Sequence, residues 1–448
     1  MVWRWDERSL AAYCVALSTA SSATRAGVVH FLEAAQGEGA PEPPPLAWIS
    51  LDCAFTRALV LAVLQRRPGW RVRCAASPEE TCPEEASFCW AEYERVPFDR
   101  LLAGALHASC FVVRKGLCRK AQLAMHCAQY SAKRPDSALA SAVPQTLLFE
   151  FWDAEYIDEA LAEVFEVRDM ATDGSEAWIL KPSLTNQAAG IVVFDRVDTL
   201  VAALQAEGAE DVREWVLQRY IRNPLLVGGC KFHLRAYVVA VGALSAYLLT
   251  DVLALYSLSP YDPHDLSATG AHLTNTCRQS PGNADEEARA VGLLADLPDR
   301  LRAGGDASLS EAEGATRIAR VLADAASIIG GAFEAVSTQL SYLPLPNAFE
   351  IYGVDLLIDE TWKVWLLEFN AQPDFVQTGD RLARVPAAAV EQAVALAVDA
   401  WFPSAVAAAA APHAAGGGDA HAALLASQRV LVYERLDPRA AGGRMTFA

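Results

Sequence analysis

Asp355, Glu368 and Asn370 stand close together in FEIYGVDLLIDETWKVWLLEFNAQPD, residues 349–374. Two apolar runs, IYGVDLLID and KVWLLEFN, flank a short DETW turn, which predicts a β-hairpin. Side chains alternate along a strand, so Glu368 and Asn370 share a face, and hairpin pairing brings Asp355 beside them. Two carboxylates and an amide oxygen on a rigid sheet face form a hard-oxygen set suited to Mg2+. Mg2+ usually also takes phosphate oxygens, so a nucleotide would complete its shell. The neighbours on both faces are nearly all apolar, which predicts partial burial. An unpaired buried acid is costly, so these acids need a cation or a partner.

Three further segments carry polar groups at telling positions. In WILKPSLTNQAAGIVVF, Lys181 ends an apolar strand and precedes a loop, where its ammonium can reach a phosphate. In WVLQRYIRNPLL, Gln218 ends a strand and is placed to read an adenine amino group. In KFHLRAY, Lys231, His233 and Arg235 alternate with Phe232, Leu234 and Ala236. The three polar groups therefore share one strand face and suit an anion; a solvated outer face would show the same alternation. His233 by itself reads as a positioned hydrogen-bonding histidine. In HLTNTCRQ, Thr274 and Asn275 are candidate ligands for ribose, phosphate or metal, and equally ordinary turn residues. The chain has no GxSxG, HExxH, GxxxxGK[ST] or GxGxxG, so a nucleotide here needs a holder other than a Walker loop or a dinucleotide fold.

The elements that position these residues form an α/β (α+β) chain. Residues 1–45 read as an Ala-rich helical segment ending in the Pro-rich linker PEPPP. From 46 to 147, LAWISLDCA, FTRALVLAVLQRR and WRVRCAA read strand–helix–strand, a small α/β domain. A helical pattern follows from Phe88 to Arg134, with the basic cluster Arg114, Lys115, Arg119, Lys120, Lys133 and Arg134. From 148 to 402, short β-rich runs follow one another without intervening helices, which favours mixed or antiparallel sheets. Residues 279–314 read as an acidic insertion of loop and short helices, and Arg317–Leu340 as an amphipathic helix. Residues 403–448 read as a low-complexity tail with one edge strand, QRVLVY.

The chain has 448 residues, 53% apolar and 21% charged, and a net charge of −18. That excludes a mainly disordered chain and argues against nucleic acid as a general partner. The apolar stretch Ala236–Thr250 is too short to span a bilayer and is closed by Arg235 and Asp251, so no membrane partner is expected. The ten cysteines form no CxxC pair, and the first residues are charged where a signal peptide is apolar. A cytoplasmic protein with reduced thiols is the expectation.

The order of the motifs is more specific than any one of them. K-P-S, Q-R-Y-I, K-F-H-L-R, H-L-T-N and finally G-x-D with W-L-x-E-x-N resemble the tubulin-tyrosine ligase family, over roughly Phe88 to Asp380. GLCRKAQL resembles the family's basic helical start; KFHLRAYVVAVGAL and EFNAQPDFVQTGDRL are most similar to its fungal and protist branch. The resemblance implies an ATP-grasp fold preceded by a pre-ATP-grasp-like domain, and amide formation through an acyl-phosphate with ATP and Mg2+. It implies that Lys181 and Lys231 contact the ATP phosphates. Gln218 and the backbone around Arg219, Tyr220 and Ile221 would hold adenine, and His233 would belong to the ATP site. Thr274 and Asn275 would lie near ribose and phosphates. Arg235 and Lys231 would act in catalysis, with Arg235 on the transferred phosphoryl group. Asp355, Glu368 and Asn370 would ligate Mg2+. The partners implied are a free amino acid and an acidic protein tail such as that of tubulin. A non-catalytic nucleotide-binding scaffold and a small-molecule carboxylate–amine ligase are the alternatives on the same fold. The sequence departs from the family in the loop after Lys181, which reads TNQAAG, and in the strand pair YLLTDVLALYS, which carries no Arg.

Overall fold

A computed structural model describes residues 43–435, apart from 68, 151–153, 165–166, 168–175, 184–189, 207–208, 280, 306–308 and 404–424. The expected N-terminal helical segment, most of the tail and the loop after Ser183 lie outside the described residues. The account below concerns the compact unit that begins at Pro45.

Its first sheet is parallel, in the order β2-β1-β3-β4, with β1 Leu46–Ser50, β2 Arg71–Cys74, β3 Ala86–Ala91 and β4 His107–Ala108. Helix α1, Ala54–Gln65, makes the crossover between β1 and β2. Its N-cap thiol, Cys53, accepts from the Thr56 amide, and Val60, Val63 and Leu64 face the core. The expected helical pattern from Phe88 is corrected at its start. ASFCWA is strand β3, buried on both faces, so it lacks the alternation that marks a half-exposed strand. The basic segment beyond it is helical, as expected, in α2, Lys120–Lys133.

A second sheet is antiparallel, in the order β5-β8-β6-β7: β5 Thr146–Glu150, β6 Trp178–Pro182, β7 Val192–Phe194 and β8 Glu214–Arg219. The largest sheet is built on β10, Cys230–Val241, which is buried along nearly its whole length. Around it lie β9 Leu226–Val227, β11 Ser245–Leu249, β12 Leu253–Tyr256, β13 Val291–Leu293, β14 Phe349–Ile358, β15 Val364–Ala371 and β16 Arg429–Glu434, all paired antiparallel. The mixture of parallel and antiparallel sheets matches the expected α/β class. The acidic insertion adds short helices, as expected, and also the edge strand β13.

Helix α3, Glu311–Val336, begins earlier than its apolar periodicity because Ser310 and Glu313 form a capping box. It packs Val321, Ile328, Ile329 and Phe333 against the large sheet. A Cβ at Gly330 would run into the Val432 carbonyl, so glycine lets α3 lie directly on β16. On the other side of the sheet, α4, Arg384–Ala393, covers a second apolar cluster together with α1. Among the described residues no helix is long and apolar enough to cross a membrane.

Candidate functional site

The β14–β15 hairpin is in the register that the alternation implied. Asp355 lies opposite Glu368, and Gly353 opposite Asn370. A bulge follows at once, between Asp355 and Leu356, and ends the regular ladder beside the acids. The Asn370 amide nitrogen lies 3.3 Å from Asp355 Oδ2 and 3.4 Å from Glu368 Oε1, so the three groups converge. Among the described residues no group of three or more His, Cys, Asp and Glu is arranged to hold a metal. The donor set here is two carboxylates and an amide, and Mg2+ commonly takes only one or two carboxylates besides phosphate and water. The two carboxylates suit Mg2+ completed by a nucleotide, whereas the Asn370 side chain turns its nitrogen toward them and would have to present its oxygen to join them.

On the other side of β14, Arg235 of β10 lies opposite Asp355. Its Nε and Nη2 reach the two Asp355 oxygens at 2.6 and 3.1 Å, with both side chains buried. A Cβ on Gly353 would stand 3.1 Å from Arg235 Cδ, so this glycine makes room for the arginine stem. Burial works against the Arg235 charge, but Asp355 outweighs it and holds the guanidinium above its usual range.

Lys181, Gln218, Arg219, Tyr220, Ile221, Lys231, His233, Thr274, Asn275, Asp355 and Glu368 all line one cleft between the second sheet and the large sheet. Of the residues expected at the site, Arg235 and Asn370 stand behind that wall. The strand face bearing Lys231, His233 and Arg235 is buried, which removes the reading of a solvated outer face. The cleft's inner end is rich in cations. Burial pulls the Lys181 ammonium down to about 8, and burial together with Lys181 pulls Lys231 down to about 7. Burial alone would raise the Glu368 carboxyl, but Lys120, Lys181 and Arg235 hold it down at about 2.

Local hydrogen bonds fix these groups. Lys181 Nζ donates to Gln218 Oε1 at 2.8 Å, and Gln218 Nε2 donates to Thr146 Oγ1 at 3.0 Å. The Gln218 carboxamide is thus engaged by the lysine and by β5. Lys231 Nζ donates to the Tyr220 hydroxyl at 2.7 Å and to the His272 carbonyl at 3.0 Å. His233 Nδ1 meets Thr274 Oγ1 at 2.5 Å. Among the described residues its Nε2 is buried without a hydrogen-bond partner, 3.9 Å from Asp355 Oδ1, and burial lowers the ring to about 4, so it is neutral.

Two residues outside the expected set belong to this site. Lys120 opens α2 and reaches Glu368 Oε2 at 3.2 Å. Ser183, just after β6, receives the first amides of α2, at its carbonyl from Lys120 and at its hydroxyl from Ala121. The sequence signal was GLCRKAQL, which resembles the family's basic helical start. His272, the first letter of H-L-T-N, is the second. Arg114 of the same cluster is a structural residue, paired with the fully buried Glu350.

A cleft between two antiparallel sheets, lined by lysines and two carboxylates, belongs to an ATP-grasp architecture. The solved C-terminal domain of K. lactis Pby1, titled an ATP-grasp enzyme interacting with the mRNA decapping enzyme Dcp2, has this fold. It superposes with a TM-score of 0.60 at 24% identity, over 88% of this chain and all of that one. Residues 111–404 match the model of the tubulin-tyrosine ligase family. A probable tubulin–tyrosine ligase of Schizosaccharomyces pombe is 32% identical over 341 residues, 67% of this chain and 80% of that protein. The probable tubulin–tyrosine ligase PBY1 of Saccharomyces cerevisiae is 31% identical over 347 residues, 67% of this chain but 44% of that protein. This chain belongs to the tubulin-tyrosine ligase family, and its fungal likeness is borne out by these relatives. The kinship supports a ligase-type reaction that uses ATP.

Proposed function

We propose that this chain is an ATP- and Mg2+-dependent ligase that joins a carboxylate to the amine of an amino acid through an acyl-phosphate. The observation that carries the reading is the charge balance of the cleft. Lys120, Lys181 and Lys231 line the cleft with two acids among the described lining residues, Asp355 and Glu368, and Asp355 is already paired with Arg235 behind the wall, which leaves positive charge for an anion such as a polyphosphate.

In this reaction an acceptor carboxylate oxygen attacks the γ-phosphorus, the bond to the β,γ-bridging oxygen breaks, and ADP leaves. An amine nitrogen then attacks the acyl carbon, the bond to phosphate breaks, and a proton is lost from the nitrogen. Lys181 and Lys231 hold the phosphates, and Arg235 stabilises the charge that develops on the transferred group. Gln218 holds Lys181 while Arg219, Tyr220 and Ile221 line the base. His233, Thr274 and Asn275 face the nucleotide. Asp355, Glu368 and Asn370 would hold Mg2+, which when bound neutralises phosphate charge. No protein nucleophile is required, in keeping with the motifs the sequence lacks.

The acceptor in this reading is an acidic protein tail such as that of tubulin, and the donor a free amino acid. Calorimetric titration with ATP, with and without Mg2+, tests the site. Unchanged affinity in the Glu368→Ala, Lys181→Ala double variant would overturn it. Mass spectrometry of candidate peptides incubated with Mg·ATP and each amino acid identifies the acceptor. ATP binding without amino-acid-dependent ADP release would instead favour a nucleotide-binding scaffold, a reading to which the engagement of Arg235 Nε and Nη2 by Asp355 lends support.

A further inference from the structure

His272 lies at the centre of a hydrogen-bonded chain with a fixed direction. Its Nε2 is 2.8 Å from the Asp265 carbonyl oxygen, which can only accept, so Nε2 carries the proton. Burial lowers the ring's basicity, so Nδ1 is a bare acceptor. The Tyr220 hydroxyl, 2.7 Å away, must donate to it. The hydroxyl oxygen then presents its lone pairs to Lys231 Nζ at 2.7 Å. A second ammonium N–H goes to the His272 carbonyl at 3.0 Å. The ammonium also rests 4.4 Å from the centre of the Tyr220 ring. An ammonium has three N–H groups, so among the described residues one remains without an acceptor, and Lys231 stands in the cleft wall that it shares with Lys181.

We propose that His272 is a positioning residue of the nucleotide site: through Tyr220 it fixes the Lys231 ammonium so that one N–H is left for a phosphate oxygen. The inference rests on the ligase reading above and adds to it a residue that touches no substrate. Histidine suits the task because one ring joins the exposed 262–268 loop to a buried hydroxyl with both nitrogens defined. The groups facing the ring are Tyr220, Tyr261, Lys231 and the loop acids Asp262 and Asp265; Lys231 in turn faces Lys181, Tyr220 and Tyr261. Protonation of Nδ1 would turn the Tyr220 hydroxyl round, aim its hydrogen at the ammonium, and weaken phosphate binding.

The test is calorimetric titration of the full chain with Mg·ATP. Tyr220→Phe keeps the ring and the fold. Losing a hydrogen bond to a charged group weakens ATP by roughly tenfold. His272→Gln weakens it by a similar factor. The double variant is no weaker than the worse single variant, because one chain is being cut twice. Affinity falls more steeply on mild acidification in the wild type than in Tyr220→Phe, a difference that loss of loop support alone would not produce. Tyr220→Phe within about twofold of wild type, or losses that multiply, overturns the inference while leaving the ligase reading intact. A wild-type chain that binds no ATP overturns both.

Discussion

Strand β14 carries two buried acids five residues apart, and they have opposite fates. Glu350 is closed off. Arg114 pairs with one oxygen at 2.5 Å, and the Phe111 amide donates to the other at 3.0 Å. Arg114 itself lies over the Tyr93 ring and reaches Gln372. Asp355 also has its arginine, yet it borders a cleft in which, among the described residues, cations outnumber acids and a histidine nitrogen lacks a partner. Burial alone therefore does not mark a functional acid. The useful distinction is whether the surrounding groups satisfy one another without a ligand. Around Glu350 they do; around Asp355 and Glu368 they leave positive charge over.

The largest effect should come from breaking the closed centre. Glu350→Ala leaves Arg114 buried without its counter-charge and should cost about 3–5 kcal/mol of stability, read from urea unfolding without nucleotide. A small loss would show that the two centres are alike. At the open centre, Glu368→Ala should lower amino-acid-dependent ADP release by on the order of a hundredfold, with a smaller change in stability. Acidity separates the centres further. The Glu368 carboxyl is held at about 2, below its unfolded value, so its stabilising contribution is present above the unfolded pKa and lost as pH falls toward 2.

Alkali acts on the lysines. An anionic ligand favours their charged forms, and their free values lie near 7 and 8, so ATP binding should take up protons around neutral pH. Affinity should then fall, by about tenfold, as pH rises through and beyond that range. Titration in two buffers of different ionisation heat measures the uptake; none would mean that the lysines do not meet the phosphates. The smallest effect concerns the outer part of the basic helix. Lys115 is exposed and Arg119 half-buried, so Lys115→Glu with Arg119→Glu should raise the KM for an acidic acceptor a few-fold and spare ATP. Equal loss of both would point to packing instead.

The sequence made the hairpin legible because strand alternation is local. Asp355, Glu368 and Asn370 share a face for the reason that the spacing suggested. It could not show that Arg235 would spend its guanidinium on Asp355, since that contact joins strands 120 residues apart. Lys120 was hidden for a similar reason. Its place depends on Ser183 capping α2 from another sheet, and nothing in GLCRKAQL separates it from its surface neighbours. Strand β3 was misread because a strand buried on both faces has no polar rhythm. His272 stood in a recognised motif, but the role proposed for it depends on the proton on Nε2, which the Asp265 carbonyl of the preceding loop sets and no residue type reveals.

Gly330 carries a last consequence. Among the described residues strand β16 pairs with β11 alone, and it rests on α3 at a point where no side chain fits. The absence of one methyl group therefore lets residues 429–434 lie flush on α3, a seat added to the ladder with β11 and to the Gln392 bond to the Leu425 carbonyl. Alanine there should loosen that seat far from the cleft and leave the nucleotide pocket whole.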